Sequence, residues 1–172
     1  MLITIGQVLP PADLADVRAI VPQLRYQDGR ATAGWHAARV KKNEQARASV
    51  TLDLVRDRLG AALLANAVFA LAVRPKALAP LLISRTADGG HYGTHVDTPI
   101  MNGLRTDVSF TLFLSEPEDY DGGELVIESS AGSDSYKLPG GSAIVYPSTA
   151  LHHVAPVTRG ERYVAVAGLG QL

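Results

Sequence analysis

Apolar residues recur along this chain at two different periods, and the change of period divides it. In the first part, Leu14, Val17, Ile20, Val21 and Leu24 follow the Pro10-Pro11-Ala12-Asp13 segment at near-helical spacing. Proline suits a first helical turn, where its missing N–H leaves no bond unmade, so a helix is expected to open there. A second helix is expected from about Ala48 to Leu64. Its stripe is Val50, Leu54, Val55, Leu59, Leu63 and Leu64, with Asp53, Arg56, Asp57 and Arg58 mostly off it. Asp28-Gly29-Arg30 and Lys41-Lys42-Asn43, between the two, read as loops.

From Leu81 onward the apolar runs are short or alternate with polar residues, and Gly, Pro, Asp and Ser divide them. Strands are expected at Leu81–Thr86, His91–His95, Asp107–Leu114, Glu124–Glu128, Ser135–Leu138, Ala143–Tyr146, His152–Pro156 and Arg162–Ala167. Asp121-Gly122-Gly123 and Pro139-Gly140-Gly141 are turns, since glycine takes positive φ without strain. Strands this short and this numerous suit a sandwich or barrel, and a double-sheet jelly roll fits. Helices followed by sheet give an α+β fold with the N-terminal helices packed on one sheet. No repeat, low-complexity tract or linker interrupts the chain. Residues 1–172 are read as a single domain, with 1–77 mainly helical and 78–172 the jelly-roll core.

Composition narrows the function. The 172 residues are 47% hydrophobic and 19% charged, as expected for one globular core. A net charge of -1 gives no basic field for nucleic acid. No apolar run is long enough to cross a membrane. Met1 to Gln7 lacks a basic leader, so no signal peptide is expected and a cytoplasmic enzyme is the simplest reading. The absence of cysteine excludes disulfides, cysteine nucleophiles and thiolate metal sites. Any metal must sit on His, Asp or Glu.

His95-Val96-Asp97 offers such a site, because residues i and i+2 of a strand project from one face. Alone it is weak: chance supplies H-x-D in a chain of this composition roughly one time in three. His152-His153 opens another expected strand, and two histidines with one carboxylate can form a facial triad for non-haem Fe(II). Zinc also accepts this set. Adjacent strand residues face opposite ways, so only one of His152 and His153 should be a ligand. Further on, Arg159 and Arg162 flank a turn, and either could clamp a carboxylate. A one-residue change of register exchanges their faces, so spacing leaves the choice open.

An ordered series of motifs adds a resemblance. It runs Asp88-Gly89-Gly90-His91-Tyr92-Gly93-Thr94-His95-Val96-Asp97, Arg105-Thr106-Asp107-Val108-Ser109, Leu112-Phe113-Leu114-Ser115 and Asp119-Tyr120-Asp121-Gly122-Gly123-Glu124-Leu125. It continues with Tyr146-Pro147-Ser148, Leu151-His152 and Pro156-Val157-Thr158-Arg159-Gly160-Glu161-Arg162. In these residues the chain resembles PKHD-type hydroxylases, which are Fe(II)/2-oxoglutarate-dependent dioxygenases near the prolyl 4-hydroxylase branch. The likeness is strong from about Pro80 to Ala167. It is looser at Asp28-Gly29-Arg30-Ala31-Thr32-Ala33-Gly34 and Val40-Lys41-Lys42-Asn43.

The resemblance implies that His95, Asp97 and His152 are the Fe(II) ligands and that Arg162 binds the far carboxylate of 2-oxoglutarate. His153 then faces away. It implies O2 as second co-substrate, admits L-ascorbate, and makes the activity the hydroxylation of a substrate, such as a peptidyl or amino-acid residue, with release of succinate and CO2. Two departures stand out. Thr86 occupies the place of a tyrosine that often supports 2-oxoglutarate in related enzymes, and the chain ends ten residues after Arg162, where typical members continue. They motivate a competing reading, a metal-binding jelly-roll module that senses or interacts without turnover. A zinc or manganese enzyme on a cupin-like barrel is a third.

Other residues carry expectations of their own. Asp107, Ser109 and Thr111 alternate with Val108, Phe110 and Leu112 as a half-buried strand. Tyr92 is read either as a pocket hydroxyl or as a packed ring. Arg105 is read as a salt-bridge partner before a substrate contact. Trp35 and His36 fall in a loop that could cover the site, although a core tryptophan and an exposed histidine are expected. Lys41, Lys42 and Asn43 could line an entrance or form a solvated loop.

Overall fold

The computed structural model describes residues 2–101 and 103–171. Its elements follow in order: β1 (Ile3–Ile5), α1 (Pro11–Ile20), β2 (Tyr26–Asp28), β3 (Lys41–Lys42), β4 (Glu44–Ala46), α2 (Val50–Ala65) and α3 (Ala67–Val73). Next come β5 (Pro75–Leu78), β6 (Leu82–Thr86), β7 (His91–His95), β8 (Ile100–Met101), β9 (Leu104–Arg105) and β10 (Val108–Phe113). The last are β11 (Tyr120–Gly122), β12 (Leu125–Ser129), β13 (Gly132–Tyr136), β14 (Ala143–Pro147), β15 (His152–Val154), β16 (Val157–Gly160) and β17 (Arg162–Gln171). All eight expected strands are present, and the expected α+β jelly roll is the observed fold.

Two sheets form the sandwich. The major sheet runs β1-β14-β10-β17-β6-β4-β2, with β5 also paired to β17. The minor sheet runs β13-β12-β15-β7-β3. β11 pairs with β16 and β8 with β9 in two short ribbons. β10 shows how one strand serves both sides. Val108, Phe110 and Leu112 join the large apolar cluster with the helices, while Phe113 joins a smaller one between the sheets. Every residue of β10 is buried, because helices cover one face and the minor sheet the other.

The helices start at polar caps. Ser49 Oγ accepts a hydrogen bond from Leu52 N–H at 3.0 Å to open α2, and Asn66 Oδ1 accepts one from Phe69 N–H at 2.9 Å to open α3. The buried face of α2 differs from the expected stripe. Leu52, Val55, Leu59 and Leu63 are buried, whereas Val50, Leu54 and Leu64 are exposed. The helical period explains the correction: Val50 and Leu54 lie opposite the line through Leu52, Val55, Leu59 and Leu63. Arg56 falls beside that line, and its Nε donates to Leu81 O at 2.7 Å, tying the helix to the start of β6.

Five strands, β1 to β5, lie at least partly in the segment expected to be mainly helical, and nothing in the apolar pattern marked them. Each has two to four residues, and β2, β3 and β4 are largely polar. They exist by pairing: β4 adds to β6, β2 to β4, and β3 to β7. The addition of β3 brings Lys41 opposite Tyr92. No helix among the described residues is long and apolar enough to cross a membrane.

Candidate metal centre

Strand pairing brings the two histidines together. His95, at the end of β7, is the direct cross-strand partner of His152, at the start of β15. Residues opposite one another on paired strands share a face, and the two rings lie 4.2 Å apart between centroids. Asp97 follows two residues later, and its N–H donates to Ser148 O at 3.1 Å. Its Oδ1 stands 3.5 Å from Nε2 of His95 and 3.5 Å from Nε2 of His152. One candidate donor atom from each of the three residues lies within 4.8 Å of the others.

The imidazoles are oriented from behind. His95 Nδ1–H donates to Gly93 O at 2.8 Å, and His152 Nδ1–H donates to Ala150 O at 2.9 Å. Both bonds leave Nε2 with its lone pair aimed at the shared space, the tautomer a metal needs. Separations of 3.5 Å are long for hydrogen bonds and suit donors gathered around one ion at about 2 Å each. Burial pushes the Asp97 carboxyl up, but the two imidazoles facing it, with the Ser109 hydroxyl, outweigh this and hold the group well below the usual carboxylate range. With both Nε2 atoms deprotonated the set is two neutral nitrogen donors and one anionic oxygen, which fits a divalent iron or zinc ion.

A cavity of about 130 Å³ opens from this centre between the sheets. Tyr92 forms part of its wall and stacks on His95, with centroids 3.7 Å apart and planes at 16°. Tyr92 is thus both packed and facing the pocket. Tyr146 packs at 5.0 Å from the His152 ring, and burial pushes its hydroxyl up, so it stays a phenol. Thr111 lines the same wall, so the polar face of β10 does reach the site.

Arg162 reaches the cavity from the major sheet, where it pairs with Thr86. It is 3% exposed, its guanidinium lies 5.7 Å from the Phe113 ring centre, and its Nε has no hydrogen-bond partner. Beside it lies the buried Tyr120 hydroxyl, which interacts with the guanidinium. Among the described residues no carboxylate forms an ion pair with Arg162. Burial pushes its pKa down, yet a guanidinium stays charged. Gly123, at φ 69°, makes room for it: a Cβ there would stand 3.0 Å from Arg162 Cδ. Arg159, by contrast, is exposed and ion-paired to Asp121 at 2.8 Å. Structure thereby separates the two arginines that spacing left open.

The remaining expectations divide. His152 lies in the site, whereas His153, next along the strand, does not line the cavity. Arg105 pairs with Asp107 at 2.7 Å, as read from the sequence. Trp35 is not in the core: it is 76% exposed, beside the cavity-lining Ala33, Gly34 and Ala37. Its ring has the Arg39 guanidinium at 5.2 Å and the His36 ring edge-on. This loop lines the pocket instead of filling the interior, and the tryptophan ring is turned outward. Of the Lys41-Lys42-Asn43 run, Lys41 and Asn43 line the cavity and Lys42 is exposed. Lys41 is the member whose burial no sequence signal announced.

Residues 81–167 match the 2OG-Fe(II) oxygenase superfamily. A PKHD-type hydroxylase of Picosynechococcus sp. is 50% identical over 167 residues, covering 96% of this chain and 76% of that protein. One from Maricaulis maris is 48% identical over 168 residues, covering 98% and 76%. Among solved structures, a Pseudomonas putida prolyl-4-hydroxylase is similar, with TM-score 0.65, 21% identity and coverage of 99% and 92%. HygX from Streptomyces hygroscopicus, with nickel and 2-oxoglutarate bound, is similar with TM-score 0.64, 15% identity and coverage of 99% and 82%.

Proposed function

The chain belongs to the 2OG-Fe(II) oxygenase superfamily, and on that premise we propose that His95, Asp97 and His152 hold its Fe(II) while Arg162 anchors the far carboxylate of 2-oxoglutarate. It is a 2-oxoglutarate-dependent dioxygenase of the hydroxylase type, using Fe(II), 2-oxoglutarate and O2. Bound iron supplies the oxidative chemistry, in which 2-oxoglutarate becomes succinate and CO2 and a substrate C–H becomes C–OH. The protein's part is to place the reactants. His95 and His152 present Nε2 because Gly93 O and Ala150 O take their Nδ1 protons. Asp97 supplies the anion, fixed through its backbone to Ser148. Arg162 supplies a cation on the facing sheet, and the sheets around it exclude water.

The observation that carries this reading is the pairing of a three-donor cluster with a buried guanidinium that lacks a protein anion. A buried cation left unpaired is costly, and a carboxylate co-substrate relieves it. Thr86, cross-strand from Arg162, puts a hydroxyl in the same wall. The test is an anaerobic titration of Fe(II) protein with 2-oxoglutarate, following the visible charge-transfer band of the chelate. The band should vanish in His152→Ala, persist in His153→Ala and need far more 2-oxoglutarate in Arg162→Ala. Absence of any band in wild-type protein that has bound iron would defeat the assignment.

A further inference from the structure

The cavity holds a second buried cation that the co-substrate does not require. Lys41 lies on β3, at the edge of the minor sheet, on the wall facing the sheet of Arg162. It is 7% exposed, and its ammonium stands 4.9 Å from the centre of the Tyr92 ring. That ring stacks on His95. Ammonium, phenol ring and imidazole therefore form one column along the wall, and the column ends at the metal centre. The backbone is shaped to admit the lysine stem. Gly29 N–H donates to Asn43 O at 2.8 Å, and a Cβ on Gly29 would lie 3.1 Å from Lys41 Cε and 2.1 Å from Asn43 Oδ1. Glycine is what permits this approach.

No protein anion pairs with this ammonium among the described residues. Asp28 lies within its electrostatic reach, but both carboxylate oxygens of Asp28 are held by Arg30 at 2.5–3.0 Å. Glu44, on the next strand, pairs with Arg85 at 3.1 Å. Asp97 attracts Lys41 without forming an ion pair and faces the two imidazoles. Burial pushes the Lys41 pKa down to about 8, with Asp97 and Asp28 opposing, so the desolvated amine still carries charge at neutral pH.

Charge counting shows what is missing. With the site filled as proposed above, Fe(II), the Asp97 carboxylate, the 2-oxoglutarate dianion and Arg162 sum to zero, and Lys41 is left over. Among the described residues of the cavity wall the other Lys or Arg is Arg162, on the facing sheet and committed to the co-substrate, so Lys41 alone matches a monoanion better than a phosphate dianion.

Resting on that reading of the iron site, we propose that Lys41 binds a carboxylate of the primary substrate, which makes the substrate a carboxylic acid presented under the Thr32–Ala37 loop. The substrate's acid group would sit at the Lys41 end of the column and its reacting carbon toward the metal. Lys41 then sets specificity, and Arg162 serves the co-substrate alone.

The probes are N-acetyl amino acids, their C-terminal amides and phosphate monoesters of similar size, added to protein loaded with Fe(II) and 2-oxoglutarate without oxygen. Binding is read by saturation transfer to the acetyl methyl or alkyl protons and by the emission of Trp35, the chain's single tryptophan. At least one acid should bind wild type saturably and its amide should not. Lys41→Met should weaken that acid about tenfold or more, Lys41→Arg should restore most of it, and 2-oxoglutarate affinity should change less than twofold in both. The proposal is overturned if amides bind as well as acids, if phosphate esters bind better, or if no acid binds wild type. It is also overturned if Lys41→Met weakens 2-oxoglutarate as much as Arg162→Met does. Loss of the iron reading has a separate signature, a wild-type protein without the visible band, and the acid–amide comparison does not use that band.

Discussion

On the helix side of the major sheet, Phe110, Leu112, Ala165, Ala167 and Leu169 meet Leu52, Leu59, Leu63 and Phe69 in a wholly apolar cluster. Phe69 and Phe110 meet edge to face at 5.6 Å, a favourable aromatic geometry. The opposite face of the same strands carries Ser84, Thr86, Ser109, Thr111 and Arg162, all buried. Only a small apolar cluster around Phe113, Leu125, Ile144 and Val164 closes that side. The period-2 alternation of a strand lets one segment serve both interiors. Apolar burial on the outer face supplies stability that the polar, partly hollow inner face does not. Substitutions on the two faces should therefore separate function from folding.

The largest effect is expected on the inner face. Asp97→Asn removes the only anionic donor of the cluster and should abolish iron binding and 2-oxoglutarate turnover, read by metal analysis and succinate formation. The thermal midpoint of the metal-free protein should move by no more than about 3 °C, equivalent to roughly 1 kcal/mol in a domain of this size. A midpoint loss as large as that of a core variant would erase the division between the faces. Phe69→Ala, at the centre of the apolar cluster and away from the cavity lining, tests the converse. Emptying that position should cost about 3–5 kcal/mol, or roughly 10 °C, while the folded fraction keeps its iron affinity.

Arg162→Met ranks next and sharpens the contrast. Loss of a buried charge pair with the ligand costs about 2–4 kcal/mol, so the 2-oxoglutarate requirement should rise by the order of a hundredfold. Metal-free stability should hold or rise, because a desolvated cation without a partner has been replaced by an apolar side chain. A fall in both would mean that Arg162 supports the fold and that its solitude is misleading.

The two faces were not equally legible in the sequence. From Leu81 onward, each expected strand had enough apolar or alternating residues to declare itself, and His95, Asp97 and His152 did converge. The N-terminal strands left no such mark, since a two-residue strand such as Lys41–Lys42 has no period and owes its existence to β7. Helix α3 is seven largely apolar residues without a polar face, so no helical stripe identified it. The α2 stripe was misphased because three of its leucines and valines, Val50, Leu54 and Leu64, point to solvent. Trp35 was misjudged because ring size does not say which way a loop turns the ring. Lys41 was unreadable for a related reason: beside Lys42 and Asn43 it resembles a solvated loop, and only the pairing with Tyr92 turns it inward.

The smallest effect should fall on Arg159, which is the sharpest comparison because it matches Arg162 in residue type and lies three positions away. The two differ in direction. Gly160, at φ 72°, breaks regular extension between them, and a register shift lies between Asp121 and Gly122 in the ribbon that holds Arg159. Arg159 Nε donates to Asp121 Oδ2 at 2.8 Å in solvent. An ion pair so exposed is screened by salt and close to neutral in stability. Arg159→Met should leave the 2-oxoglutarate titration superimposable on wild type and the melting curve unmoved at 0.5 M salt. A raised 2-oxoglutarate requirement in Arg159→Met, with Arg162→Met unaffected, would transfer the anchor to the other arginine and reverse the register on which the site is built.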